Sequence, residues 1–154
     1  METVWSHYLE TRIHPPIQRT NLMFTVTKDF RFEAAHSLPH LGPNHKCARL
    51  HGHSYRFRVE CSGETDSRGF VIDYAEISEA VKPLIERLDH HNLNDVIPAR
   101  TTAENLAVWI YNQLLQSLPC LSGIVVFETA TTSVIYRPND KGLPPADEPP
   151  NTVE

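Results

Sequence analysis

The sequence predicts an α+β fold: a four-stranded antiparallel sheet with two helices on one of its faces. Three observations predict it. Two segments early in the chain alternate apolar and polar residues with period two. Two stripes of apolar residues at helical spacing follow, and two further short extended runs come after them. The order strand, strand, helix, helix, strand, strand lets neighbouring strands pair antiparallel while both helices cover the same side.

The first strand runs from Leu22 to His36. Its even positions are Leu22, Phe24, Val26, Lys28, Phe30, Phe32, Ala34 and His36; its odd positions are mostly polar. Lys28 breaks the alternation, which predicts a bend or bulge there. Pro39, Gly42, Pro43 and Asn44 mark a loop. The second strand starts near Arg49, and its odd positions His51, His53, Tyr55, Phe57 and Val59 share the apolar face. Turns at 62–64 and 67–69 flank a link, with Phe70-Val71-Ile72 as a brief extended piece. Asp73 is a plausible N-cap for a helix whose stripe is Ile77, Val81, Leu84, Ile85 and Leu88. Pro83 conflicts with that helix and predicts a kink or a later start. The polar run from Asp89 to Asp95 reads as loop.

Thr101-Thr102-Ala103-Glu104 fits a capping box, with Thr101 as cap and Glu104 reaching back. The stripe Ala103, Leu106, Ala107, Ile110, Leu114 follows, and Pro119 ends the element. Ile124–Glu128 and Ser133–Arg137 read as two strands joined by a tight Ala130-Thr131 turn. Residues 1–21 form an irregular arm, 22–137 the domain, and 138–154 a proline-rich tail expected to be disordered. There are no internal repeats. The edges of such a sheet need cover, and pairing between subunits is one solution.

Composition limits the function. The 154 residues, 40% hydrophobic and 21% charged, suit ordinary globular material. A net charge of −5 without a basic stripe disfavours nucleic-acid binding. No apolar run approaches membrane-spanning length, and no basic segment precedes an apolar core at the N-terminus. Three cysteines make no disulfide framework, so a reducing cytoplasm is the expected compartment.

The chemistry concentrates where the first two strands meet. His36 ends one apolar face, and His51 and His53 begin the other. Antiparallel pairing brings the three imidazoles to one end of the sheet. Three neutral imidazoles suit Zn2+ with a fourth position open, or with Cys47 closing a structural shell. Cys47 lies between Lys46 and Arg49, where positive charge and a metal favour the thiolate, so it is a candidate base or nucleophile as well as a candidate ligand or buried apolar residue. Asp89-His90 is a second acid/base unit, or else the His caps the helix C-terminus and Asp89 is a turn residue. Glu128, on the apolar face of its strand, needs a cationic partner or a ligand with adjacent N–H donors, such as the guanidine-like edge of a pterin or guanine.

These stretches together resemble the 6-pyruvoyl-tetrahydropterin synthase / 6-carboxy-tetrahydropterin synthase family, from about Phe30 to Arg137. The carrying segments are Phe30–His36, His45–His53, Arg87–Asp95, Thr102–Ala107 and Val126–Thr129. The resemblance implies the tunnelling fold, with sheets of several subunits joined into a barrel and a homohexamer built from two trimers. It implies zinc on His36, His51 and His53, a base at Cys47, a proton relay at Asp89 and His90, and pterin anchoring by Glu128, with Thr102 and Glu104 as further pterin contacts. The block around Cys47 looks more like the 6-carboxy branch of the queuosine pathway, which acts on 7,8-dihydroneopterin triphosphate and releases acetaldehyde and triphosphate. The alternatives are the 6-pyruvoyl synthase, which keeps the three-carbon side chain, and a non-catalytic zinc-stabilised pterin-binding module.

Overall fold

Thirteen consecutive residue pairs join the first two strands, β1 (Phe24–His36) and β2 (His51–Gly63), in an antiparallel ladder running from Phe24↔Gly63 to His36↔His51. The computed structural model describes residues 23–138; the arm, Leu22 and the tail from residue 139 lie outside the described residues. After β2 come α1 (Tyr74–Leu88), a two-residue strand β3 (His91–Asn92), a single-turn helix α2 (Leu93–Val96), α3 (Ala103–Leu114), β4 (Leu121–Phe127) and β5 (Ser133–Tyr136). Two 3₁₀ turns, Pro39–Leu41 and Lys46–Ala48, shape the loop between β1 and β2.

The sheet has five strands in the order β3-β1-β2-β4-β5, not the four expected. The added strand pairs parallel with Ala34 and Ala35, so the sheet is mixed. Periodicity could not reveal it: two residues carry no period, and His91-Asn92 is polar. Leu93, fully buried, holds this segment against the core. Both long helices lie on one face. Ile77, Val81, Leu84 and Leu88 of α1 and Leu106, Ala107, Ile110, Tyr111 and Leu114 of α3 join Phe32, Tyr55, Phe57, Val59, Ile124 and Val126 in one buried cluster. Phe57 stacks on Phe30, and Tyr55 on Phe32, with centroids 5.4 and 5.0 Å apart. Burying a side chain of this size contributes about 1.5–3 kcal/mol.

Several local expectations change. Lys28 produces no bulge, because the ladder passes through it unbroken. Its stem runs over the apolar face, and its ammonium donates to Tyr74 O at 2.9 Å and to Ser78 Oγ, tying β1 to the first turn of α1. Asp73 caps α1 as predicted, accepting from Ala75 N at 2.8 Å. Pro83 neither delays nor ends the helix. It sits on the exposed face, as does Glu79 four residues earlier, so the carbonyl that loses its donor faces water. Phe70–Ile72 forms bends rather than an extended piece. β4 stops at Phe127, and residues 128–132 make a wider turn closed by a Thr129–Thr132 hydroxyl contact of 2.7 Å.

The opposite face of the sheet is charged. Asp29 lies between Arg56 at 2.6 Å and Arg58 at 2.7 Å; the Arg58 hydrogen bond, aided by Arg56, holds its carboxyl below the usual range. Glu60, nearly buried, takes two parallel hydrogen bonds from Arg137 at 2.7 and 3.0 Å. This pair crosses directly above Gly123, where a Cβ would fall 2.8 Å from both Arg137 Cγ and Glu60 Oε2. Gly123→Ala is therefore expected to displace the pair and lower stability by about 1–3 kcal/mol, read from the urea midpoint; an unchanged midpoint would show that the pair shifts at no cost.

Candidate functional site

The end of the β1–β2 ladder places three imidazoles together. His36 and His51 are direct cross-strand partners, and His53, paired with Ala34, lies one pleat further along the same face. Ligand atoms from the three side chains lie within 4.8 Å of one another. His36 is 1% exposed, whereas His51 and His53 are half-buried.

Hydrogen bonding fixes two of the rings. His36 Nδ1 lies 2.8 Å from Thr101 O, and His51 Nδ1 lies 2.8 Å from Arg49 O. A carbonyl only accepts, so each Nδ1 carries the proton and each Nε2 presents a lone pair. The two Nε2 atoms face each other at 3.1 Å. Two lone pairs at that distance repel unless a cation lies between them, and backbone carbonyls on the far nitrogens are the usual outer support of ligating histidines. Glu128 adds a carboxylate oxygen 3.5 Å from His36 Nε2 and 3.6 Å from His53 Nε2. Burial pushes the His36 pKa down, keeping the ring neutral as a ligand must be. The donor set, three imidazole nitrogens with one carboxylate in reach, fits a zinc ion.

Tyr55 packs against this imidazole cluster. Its ring meets His36 and His53 edge-on at 6.0 and 5.4 Å between centroids. Its hydroxyl is buried, has no hydrogen-bond partner among the described residues, and is pushed upward in pKa chiefly by burial.

Cys47 stands outside the imidazole cluster. It sits in the middle of the Lys46–Ala48 turn, half-buried, with its N–H on His45 Nδ1 at 3.1 Å. Leu38 N donates to Cys47 O at 2.7 Å, pinning this turn beside the segment that leaves His36.

Asp89 and His90 form a pair, and the residue that caps α1 is Asp89, not His90 as the capping expectation had it. Asp89 caps α1 through its main chain, donating to Ile85 O at 2.8 Å. Its side chain meanwhile lies 2.9 Å from His90 Nδ1 and accepts from Glu33 N at 2.8 Å. His90 N donates to Glu33 O at 2.6 Å, and His90 holds φ at +60°, an uncommon backbone conformation for a non-glycine residue. The Glu33 amide, then His90, keeps the Asp89 carboxyl below its ordinary value. His90 itself is exposed and shares with His53 the lining of a cavity of about 470 Å³ floored by Ala35 and Gly52.

Glu128, Thr102 and Glu104 line a second cavity of about 250 Å³ with Leu38, Thr132 and Ser133. The capping expectation shifts by one residue here. Thr102, not Thr101, is the N-cap of α3 and accepts from Asn105 N at 3.4 Å. Thr101 is instead buried behind His36. Sequence reasoning missed the carbonyls of Thr101 and Arg49, the main chain of Glu33, and Asn94, which bonds Ser37. Backbone acceptors leave no mark in a sequence, and Asn94 lay in a polar run with no period.

Fold and site together define a tetrahydropterin-synthase type of protein. The pattern of the family described as 6-pyruvoyl tetrahydropterin synthase matches residues 25–139, and the chain belongs to that family. It is 38% identical over 122 residues to a 6-carboxy-5,6,7,8-tetrahydropterin synthase of Synechocystis sp., covering 74% of this chain and 93% of the relative. A Haemophilus influenzae relative of the same name is 32% identical over 142 residues, covering 75% and 99%. These place the chain nearer the 6-carboxy branch. In fold it matches the Caenorhabditis elegans 6-pyruvoyl tetrahydropterin synthase with a TM-score of 0.69 at 24% identity, over 76% of this chain and 96% of that one. Among the described residues no helix is long and apolar enough to cross a membrane.

The Asp89 pair has a pH signature. Its folded pKa lies below the ordinary 3.8. Its contribution to stability is therefore full above that value and fades as pH falls through the depressed one. Melting temperatures of the protein and of Asp89→Asn are expected to differ at neutral pH and converge below 3.8; a constant gap across the acid range would contradict the assignment.

Proposed function

We propose that the protein is a zinc-dependent 6-carboxy-5,6,7,8-tetrahydropterin synthase, a lyase acting on 7,8-dihydroneopterin triphosphate and releasing acetaldehyde and triphosphate, in queuosine biosynthesis. The observation that carries this reading is the meeting of two lone-pair-bearing imidazoles and a third His beside Glu128, at the rim of a small cavity. The names of relatives that the chain matches over nearly their whole length support the product.

His36, His51 and His53 hold the zinc, which when bound supplies Lewis acidity toward the hydroxyls of the substrate side chain. Glu128 accepts two parallel N–H donors of the pterin edge, and Thr102 and Glu104 line the same cavity and complete the contact. Cys47, as thiolate, removes a proton from the side chain. His90, held in one tautomer by the Asp89 carboxylate 2.9 Å away, accepts or returns protons as triphosphate leaves.

Residues 22–137 form the catalytic domain, flanked by segments 1–21 and 138–154. The assembly is a homohexamer of two trimers in which sheets join into a barrel. One feature supports this. Among the described residues the outer edge of β1 is paired only at Ala34 and Ala35. An unpaired edge of that length invites another strand. The compartment is the cytoplasm.

The test is incubation of the zinc-loaded protein with dihydroneopterin triphosphate, with products identified by mass. Release of acetaldehyde and a carboxylated pterin is expected; retention of all three side-chain carbons assigns the 6-pyruvoyl reaction instead. Cys47→Ala separates enzyme from binding module. The variant is expected to keep its zinc and to lose at least about 100-fold in turnover, in line with the contribution of a positioned base. Loss of zinc from this variant would move Cys47 into the metal shell.

A further inference from the structure

We propose that Asn94 is the positioning residue of the metal centre: its carboxamide holds the end of β1 and the Thr101 carbonyl in the one arrangement that aims His36 at the other two imidazoles. This rests on the reading of His36, His51 and His53 as a metal site, and not on the identity of the substrate.

The need for such a residue follows from where the sheet stops. The β1–β2 ladder ends at His36↔His51, and β3 pairs only with Ala34 and Ala35. No strand holds the chain from Ser37 onward. Yet His36 must be placed to within about half an ångström and 10–20° for ligation. Asn94, on α2, takes over the role of a strand partner. Ser37 N donates to Asn94 Oδ1 at 2.8 Å, and Asn94 Nδ2 donates to Ser37 O at 2.9 Å. Both main-chain groups of the residue next to His36 are thus bound by one planar side chain. The same amide nitrogen reaches Thr101 Oγ1 at 3.4 Å, and Thr101 Oγ1 donates to Ser37 O at 3.3 Å. Thr101, 1% exposed, presents its carbonyl to His36 Nδ1 at 2.8 Å. The chain of contacts therefore runs from Asn94 through Ser37 and Thr101 to the protonated side of the ligating ring.

The residue type is specific. The site uses one acceptor and two donors in a plane, which among side chains of this length only asparagine offers. Aspartate keeps the acceptor and loses both donors. Asn94 also lies only four residues after His90, on the helix that follows β3. One short segment thereby fixes the metal strand and carries the Asp89–His90 pair. Asn94 is exposed and fills no part of the core, so its replacement leaves no cavity.

The experiment compares the full chain with Asn94→Ala, Asn94→Asp and His36→Ala. Zinc affinity is measured by chelator competition, the Co2+-substituted protein by its visible spectrum, and the metal-free proteins by thermal melting. Asn94→Ala is expected to weaken zinc binding about tenfold, the lower end of the range for outer-shell partners, and to alter the cobalt bands. Asn94→Asp is expected to recover part of both. A cobalt spectrum and zinc affinity unchanged in Asn94→Ala overturn the proposal, as does a fall in metal-free melting temperature alone. If His36→Ala binds zinc like the parent, the metal-site reading itself fails and this inference with it. If zinc binding depends on His36 and Asn94 but the pterin triphosphate is not turned over, only the substrate assignment fails.

Discussion

The register of β1 against β2 is the constraint from which the site follows. Side chains alternate across a strand, so a slip of one residue would carry His36 to the face opposite His51 and His53. Thirteen pairs hold that register, and aromatic neighbours enforce it. Phe30 pairs with Phe57 and Phe32 with Tyr55, each as a stacked pair directly across the ladder. These contacts stabilise the sheet and, two pleats further on, determine which atoms the imidazoles show each other. The core that keeps the sheet together is thus also the device that assembles the three imidazoles.

Around that pocket the polar groups divide by role. On the protonated side of His36 and His51 stand carbonyls, which leave the Nε2 lone pairs free. On the unprotonated side stand the other ring nitrogens and Glu128. Glu128 belongs to both the pocket and the neighbouring 250 Å³ cavity. The larger cavity joins His53 to His90. Glu33, Ala35 and Ser54 line it too, so it lies largely on the sheet face opposite the three imidazoles.

What was legible in the sequence was whatever had a period or a distinctive residue. The alternation in β1 and β2 gave their faces, and His36, His51 and His53 inherited their positions from that phase. The helical stripes gave α1 and α3, and Asp73 gave a start. What was not legible had neither mark. β3 has two residues. Thr101 and Thr102 are identical in type, and only tertiary contact decides which caps α3: Thr101 is drawn inward by Ser37 and His36, leaving Thr102 to the helix. Lys28 looked like a break because its charge violates the pattern, although its stem satisfies it. Pro83 looked like a breaker because the face it occupies cannot be known until the helix is packed. The second imidazole tautomer depends on Arg49 O, a backbone atom that any residue would supply.

The strand β1 carries two kinds of chemistry on alternate kinds of atom. At His36 its side chain points to the core face and meets the metal pocket. At Glu33, three residues earlier, its main chain points along the sheet and holds both neighbours: the Glu33 N–H donates to the Asp89 carboxylate, and the Glu33 C=O accepts from His90 N. A side chain rotates about several bonds, but a ladder residue moves only with its sheet. Anchoring Asp89 and His90 by backbone therefore ties their placement to the rigidity of β1 rather than to rotamers. It also explains how His90 sustains φ of +60°: two short contacts to one residue offset a local cost on the order of 1–3 kcal/mol. Strain at that position is the price of turning an imidazole away from α1 and toward the cavity it shares with His53.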